Sequence, residues 1–147
     1  RPVLFFNHPK LAKEEVYYKT PKLQDWPSME SSLNSLVIWV PLVNVNKENG
    51  SIILYPGSHK GGVYPYKTNG GFAEVTWEGM FKEGIQPNME IGDIAIFSTM
   101  LVHQSGEITD DSIRWSASFR YTDLMEEDFI KRGYPNPYQY TPITKKK

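Results

Sequence analysis

Both faces of an extended strand would be apolar in the stretch Ser35-Leu36-Val37-Ile38-Trp39-Val40-Pro41-Leu42-Val43. Successive side chains of a strand point to opposite faces, so a run that is apolar at odd and even positions has both faces covered. Residues 35–43 are therefore predicted to form a central strand. Pro41 is predicted to mark a bulge or break in it, because proline cannot donate to the strand ladder.

Short apolar, β-branched runs lie on both sides of this stretch, separated by turns rich in Gly, Pro and Asn. Helical periodicity is weak, and the two best candidates, residues 9–13 and 124–131, are only one or two turns long. Many short strands with polar turns predict a mainly β sandwich or barrel. The further candidate strands are residues 3–6, 15–19, 51–55, 72–77, 94–98, 101–103 and 113–121.

Length and composition limit the classes of function. The 147 residues suffice for one domain, residues 1–147, and the net charge of −1 argues against nucleic-acid or membrane-surface partners. The chain has no cysteine, which excludes disulfides and thiolate metal sites. No apolar run approaches the roughly 18 residues of a membrane span, and no signal peptide is visible, so a cytoplasmic protein is expected. The chain starts directly with Arg1 and an apolar run, which suggests the C-terminal portion of a longer protein.

Three residues in a particular order indicate a metal site. Asp25 is followed far along the chain by His103 and then by Arg114. Non-haem iron oxygenases that use 2-oxoglutarate place a carboxylate, a distal histidine and an arginine in this order. Two histidines and one carboxylate usually occupy one face of the iron and leave open positions. Here Leu23 stands where the first histidine is expected, two residues before Asp25, and leucine cannot coordinate a metal.

Strand alternation in residues 113–121 places four polar side chains on one face, namely Arg114, Ser116, Ser118 and Arg120. An ordinary strand of this pattern has a solvated polar face and an apolar core face. With His103 upstream, Arg114 and Ser116 instead fall where a cosubstrate carboxylate binds, and the planar fork of arginine suits that task. Trp115, on the other face of this strand, is expected to pack into the opposite layer.

Simpler interpretations stand beside these. His103 could be a buried histidine satisfied by the backbone, and Asp25 could be a turn or cap residue before Pro27. His59 lies among the turn residues 56–61, with no carboxylate beside it, and is expected to be structural.

The sequence resembles the phytanoyl-CoA dioxygenase family over nearly its whole length. The segments that carry the resemblance are Leu4-Phe5-Phe6-Asn7, Thr20-Pro21-Lys22-Leu23-Gln24-Asp25-Trp26, Ser35 to Leu42, Asn49-Gly50-Ser51-Ile52, Pro56-Gly57-Ser58-His59-Lys60, Gly92-Asp93, His103-Gln104-Ser105-Gly106 and Arg114 to Tyr121. The resemblance implies a double-stranded β-helix, or jelly roll, with a few short helices. It also implies Fe(II) and the cosubstrate 2-oxoglutarate, with molecular oxygen and a small organic molecule as substrates.

The resemblance also implies roles for individual residues. Asp25 and His103 match the metal ligands, and Arg114 matches the residue that pairs with the far carboxylate of 2-oxoglutarate. Ser105 matches a cosubstrate contact, and Trp39 matches an aromatic that packs beside the cosubstrate. Ser116 joins this set by sharing the strand face of Arg114.

Leu23 leaves three explanations open: a natural non-catalytic relative, another group acting as ligand, or a sequence artefact, since one base change converts a His codon to a Leu codon. Gln24 is expected to point away from Asp25 and to be a poor substitute, whereas His8 could approach from a preceding segment. The main functional hypothesis is an Fe(II)/2-oxoglutarate oxygenase. Its rivals are a non-catalytic protein that binds a carboxylate through Arg114 and a purely structural β-sandwich.

Overall fold

The computed structural model describes residues 2–10, 19–69, 72–79 and 81–135. Within them the chain is mainly β, with two short α-helices and a 3-10 turn at Ser58–Gly61. The strands are β1 (Val3–Asn7), β2 (Leu36–Pro41), β3 (Ile52–Leu54), β4 (Tyr66–Asn69), β5 (Phe72–Val75), β6 (Ala95–Ser98), β7 (His103–Ser105) and β8 (Arg114–Tyr121), and the helices are α1 (Trp26–Met29) and α2 (Glu127–Lys131).

The apolar run at residues 35–43 contains β2, which is an internal strand of the first sheet. That sheet has the order β1-β8-β2-β6, and all of its neighbouring strands are antiparallel. Pro41 is the last residue of β2, where it lies opposite Ser116. The predictions of a central strand and of a break at Pro41 are both confirmed.

The second layer is built from two strand pairs, β3 with β7 and β4 with β5. Leu23 joins them, because it forms one bridge to Glu74 of β5 and another to His103 of β7. A single residue therefore acts as the middle strand of this layer, giving the order β4-β5-Leu23-β7-β3. The predicted mainly β, double-stranded β-helix architecture is confirmed.

The hydrophobic core lies between the two layers. It consists of Val37, Trp39, Val45, Ile52, Met89, Phe97 and Leu101. Trp39, Ile52 and Phe97 also line the principal cavity, so the wall of the cavity is continuous with the core. Burial of these side chains fixes the separation of the sheets, since protein interiors are close-packed.

Several predicted boundaries change. The strand expected at residues 101–103 instead begins at His103, because Leu101 and Val102 are buried in a turn. The helix expected at residues 124–131 begins only at Glu127, where the Glu126 side chain accepts hydrogen bonds from the backbone N–H groups of Asp128 and Phe129. β4 and α1 were not predicted. The candidates at 9–13 and 15–19 fall largely outside the described residues.

The two faces of β8 correct the ordinary interpretation of its sequence pattern. Arg114, Ser116 and Ser118 are at most 4% exposed, whereas Trp115 is 38% and Tyr121 55% exposed. The polar face is inside because the second layer covers it. Trp115 was expected to pack into an opposite layer; it lies instead on the outer surface, against Phe6 at 5.3 Å between ring centroids.

No helix among the described residues is long and apolar enough to cross a membrane.

Candidate active site

The predicted site residues meet in one cavity between the two layers. Asp25, Trp39, His103, Ser105, Arg114 and Ser116 all line it, together with Leu23 and Arg120. It is partly open to solvent, and its volume is about 50 Å³. The cavity therefore brings together a carboxylate, an imidazole and two guanidinium groups.

Asp25 is placed by the start of α1. Its position is the N-cap of a helix that has proline in its first turn, an arrangement that suits proline because the first N–H groups need no helical partner. The carboxylate does not cap the helix but points into the cavity. Arg120 Nη2 donates to Asp25 Oδ1 at 2.9 Å. Asp25 Oδ2 is buried, accepts no hydrogen bond from the described residues and lies 3.8 Å from His103 Nε2.

The ring of His103 is oriented by two neighbours. Its Nδ1 lies 2.9 Å from the carbonyl oxygen of Leu101, and the ring packs against Phe97 at 5.0 Å between centroids. A carbonyl oxygen only accepts, so a neutral ring has its proton on Nδ1 and its lone pair on Nε2. A histidine that ligates a metal commonly donates its other N–H in this way. Two metal–ligand bonds of about 2 Å each can span the separation of Nε2 from Asp25 Oδ2.

The third ligand position is apolar. Leu23 is 4% exposed and is fixed beside His103 by two backbone hydrogen bonds, Leu23 N–H to His103 O at 2.9 Å and the reverse at 3.0 Å. Across the described residues, no group of three His, Cys, Asp or Glu side chains is placed to hold a metal. The residues present thus fit a cation held by two protein donors, with the remaining positions left to exogenous ligands.

The substitute ligands considered from the sequence lie elsewhere. Gln24 is turned away from the cavity, where it donates to the carbonyl oxygens of Gly62 and Met100 and accepts from the N–H of Tyr64. His8 contacts Asp111 at 3.3 Å and does not line the cavity. His59 is exposed in the 3-10 turn, as expected.

Arg114 is a buried cation among neutral acceptors. Its guanidinium donates to the carbonyl oxygen of Gly50, to Asn7 Oδ1 and, at 3.3 Å, to Ser105 Oγ. No carboxylate among the described residues forms an ion pair with it, and its Nε is buried without a hydrogen bond there. Burial lowers the pKa of Arg114 to about 10, so the group stays charged at neutral pH.

Gly50 shapes the acceptor for Arg114. It has φ = +79°, and a Cβ at this position would lie 2.7 Å from the Ile108 side chain. Glycine alone therefore allows the turn to bring its carbonyl oxygen to Arg114 without strain.

Hydroxyl groups complete the polar wall. Ser105 Oγ lies 2.8 Å from Thr20 Oγ1, and Ser116 Oγ is buried with no hydrogen bond from the described residues. An unsatisfied buried hydroxyl costs free energy, and a polar ligand in the cavity would relieve that cost.

Three contributors were missed from the sequence: Arg120, Asn7 and Thr20. Arg120 shares the polar face of β8 with Arg114, so strand alternation was a usable signal for it. Asn7 and Thr20 reach the site from distant segments, and no local pattern indicates them.

Comparison with known proteins identifies the family of this chain. The model of the phytanoyl-CoA dioxygenase (PhyH) family matches residues 4–116. The chain belongs to the phytanoyl-CoA dioxygenase family. It is 30% identical over 105 residues to the peroxisomal phytanoyl-CoA dioxygenase of Bos taurus, a match that covers 61% of this chain and 29% of that protein. A probable phytanoyl-CoA dioxygenase of Caenorhabditis elegans is 28% identical over 98 residues, which cover 58% of this chain and 30% of the relative.

Solved structures share the fold of this phytanoyl-CoA dioxygenase family member. The epimerase SnoN in complex with Fe3+, alpha ketoglutarate and nogalamycin RO superposes with a TM-score of 0.63 at 21% identity, covering 84% of this chain and 48% of SnoN. EvdO2 of Micromonospora carbonacea var. aurantiaca, complexed with 2-oxoglutarate, gives 0.59 at 17% identity, covering 85% and 55%. The chain thus spans about half of these structures and under a third of the two curated relatives.

Proposed function

We propose that the chain carries the site of an Fe(II)- and 2-oxoglutarate-dependent oxygenase that hydroxylates a small organic substrate with molecular oxygen. The observation that carries the proposal is the placement of Asp25 Oδ2 and His103 Nε2 at 3.8 Å from each other, in the same cavity as Arg114. Among the described residues, this carboxylate oxygen has no hydrogen-bond donor and Arg114 has no anion, and buried groups of this kind favour ligands of opposite charge.

Each wall residue has a proposed task. Asp25 and His103 hold the metal, and Arg114 binds the far carboxylate of the cosubstrate through paired hydrogen bonds. Ser105 and Ser116 offer hydroxyls to the same ligand, while Trp39 provides an apolar wall that excludes water. When bound, iron with 2-oxoglutarate supplies the oxidative decarboxylation to succinate and the transfer of oxygen to a C–H bond.

Binding of the cosubstrate is expected to rearrange the wall. The cavity volume of about 50 Å³ is small beside the roughly 300–1,000 Å³ of typical ligand pockets. Arg114 is the residue expected to move, because a ligand carboxylate can replace its contacts with Asn7 and Gly50.

Leu23 sets the expected level of activity. Loss of even an outer partner of a metal ligand typically costs about 10–100-fold in affinity or activity, and loss of a direct ligand costs at least as much. We therefore expect the parent chain to bind 2-oxoglutarate weakly and to turn it over slowly or not at all.

The test is succinate formation with added Fe(II) and ascorbate, alongside anaerobic titration of Fe(II) and 2-oxoglutarate to follow the visible charge-transfer band. The parent, Leu23→His and Leu23→His with Arg114→Ala are compared. Leu23→His is expected to restore both signals, and Arg114→Ala to remove them again. A folded Leu23→His variant that neither binds iron nor forms succinate contradicts the proposal.

The second candidate is a non-catalytic protein that binds a carboxylate-bearing small molecule through Arg114. The apolar Leu23 at the ligand position favours it, because Arg114 and its hydroxyl neighbours need no metal to attract an anion. Titration of the parent with 2-oxoglutarate in excess chelator separates the candidates. Binding that chelator leaves unchanged, with no succinate formed after iron is added, supports the non-catalytic protein.

The cytoplasmic location and the single domain at residues 1–147 stay predictions. Immunolocalisation of the endogenous protein tests the location, and limited proteolysis of the purified chain tests the single domain.

A further inference from the structure

Arg120 pairs with one oxygen of the Asp25 carboxylate, and His103 faces the other oxygen. Arg120 lies on the inward face of β8, and its side chain is 13% exposed. Its Nη2 donates to Oδ1 at 2.9 Å, while Oδ2 of the same carboxylate faces His103 Nε2 at 3.8 Å. Half of the proposed metal-binding carboxylate is thus engaged by an internal cation.

The described side chains around the cavity carry unbalanced charge. Among the residues that the structure describes, the ionisable side chains that line it are Asp25, His103, Arg114 and Arg120. Arg120 neutralises Asp25, and Arg114 has no ion-pair partner within the described residues. With His103 neutral, these described side chains together carry one net positive charge before any ligand enters. A divalent cation alone raises this unfavourable charge, whereas a dicarboxylate more than cancels it.

We propose that Arg120 is an internal counter-cation that satisfies Asp25 when metal is absent and makes metal binding depend on a dianionic co-ligand. This inference rests on the metal site proposed above and specifies how that site is regulated. Leu23 strengthens this dependence on the co-ligand, because leucine cannot coordinate the metal and leaves it with one protein donor fewer. The co-ligand supplies negative charge and oxygen donors together, so metal and dicarboxylate bind with positive coupling.

The first measurement is the affinity for Mn²⁺ by calorimetry and by the loss of the free-ion EPR signal, with and without 2-oxoglutarate. Arg120→Gln removes the charge, Arg120→Lys keeps it, and Lys131→Gln removes one positive charge from an exposed ion pair as a control. Each is made in the parent and in Leu23→His, where metal binding is expected to be tighter. No step of this measurement requires turnover.

Arg120→Gln is expected to tighten binding of Mn²⁺ alone by about tenfold or more, since charges this close in a buried site interact strongly. It is also expected to reduce the enhancement produced by 2-oxoglutarate. Arg120→Lys and Lys131→Gln are expected to stay within about threefold of their starting protein. Unchanged or weaker Mn²⁺ binding by Arg120→Gln in the Leu23→His protein overturns the inference and leaves the metal site standing. No Mn²⁺ binding by Leu23→His, even with 2-oxoglutarate, instead defeats the proposed function and this inference with it.

The second measurement is thermal unfolding in excess chelator for Asp25→Asn, Arg120→Gln and the double variant. A buried carboxylate that loses its cation is strongly destabilising, so Arg120→Gln is expected to lower Tm by about 10 °C. Addition of Asp25→Asn is expected to recover most of that loss. If the Tm changes of the two single variants simply add in the double variant, the two residues are not coupled. That result overturns the counter-cation role, and it does not depend on metal.

Discussion

Asn7 and Arg114 are register partners at the end of the β1–β8 pair, and the Arg114 guanidinium donates to the side-chain oxygen of Asn7. This side-chain partner of the buried cation is a neutral amide, and its other acceptors, the Gly50 carbonyl oxygen and Ser105 Oγ, are neutral as well. An amide satisfies a donor without cancelling its charge, so the positive charge of Arg114 remains available to an incoming anion.

Asn7→Asp is expected to weaken 2-oxoglutarate binding by about 10-fold or more, because an internal carboxylate would pair with Arg114 and compete with the ligand. Isothermal titration in chelator measures the change. Asn7→Leu is the size-matched control: it removes the competing oxygen without adding charge, and binding is expected to stay within about threefold of the parent. Equal affinity in Asn7→Asp and the parent would show that Arg114 does not hold the ligand.

Leu23→His is expected to lower the free energy of unfolding in chelator by about 1–3 kcal/mol, because a buried imidazole replaces a well-packed apolar side chain. Mn²⁺ together with 2-oxoglutarate is expected to recover this loss by binding the folded state. Leu23→Met, which conserves volume, serves as the control and should gain much less from the two ligands. The same ligand-induced gain in Met and His variants would mean that residue 23 does not reach the metal.

Gln24→Leu is expected to lower the free energy of unfolding by about 2–4 kcal/mol, because it leaves the carbonyl oxygens of Gly62 and Met100 and the N–H of Tyr64 without this partner. Chemical denaturation measures the loss. Since the amide faces away from the cavity, binding of 2-oxoglutarate to the folded variant should be unchanged. A large loss of affinity in a folded Gln24→Leu protein would place this residue in the binding wall.

Binding of 2-oxoglutarate in chelator is expected to be constant to about pH 9 and to weaken above pH 10. Burial lowers the pKa of Arg114 to about 10, so the folded protein loses this proton before the unfolded chain does. On account of Arg114 alone, the ligand-free protein therefore gains stability as pH rises above about 10, since the unfolded state binds more protons there. The ligand binds the charged form and loses affinity over the same interval. A titration whose midpoint lies well below pH 9 would point to a different group.

The sequence was sufficient for some of these features and not for others. Period-two alternation in β8 correctly grouped Arg114 with Ser116, but it does not say which face of a strand is covered. The apolar face, with Trp115 and Tyr121, lies outside because the second layer packs on the polar one. Leu101 and Val102 show that an apolar run can also be misread as a strand. They are buried, but they lie before the strand, which begins at His103.

In the site, too, the sequence predicted some contacts, whereas others depend on how the elements pack. The order of Asp25, His103 and Arg114 predicted their convergence through family resemblance. The pairing of Arg120 with Asp25 depends on where α1 begins relative to β8, and the short segment that became α1 carries no periodicity from which this is deduced.

Leu23 has a consequence for how such a site evolves. Its place between β5 and β7 is set by backbone bridges to Glu74 and His103, which any residue except proline can make. The scaffold therefore keeps residue 23 in the position of a metal ligand whether or not its side chain can coordinate a metal. A lineage can lose the imidazole while retaining the fold, and a single later codon change can return it to the same point in space.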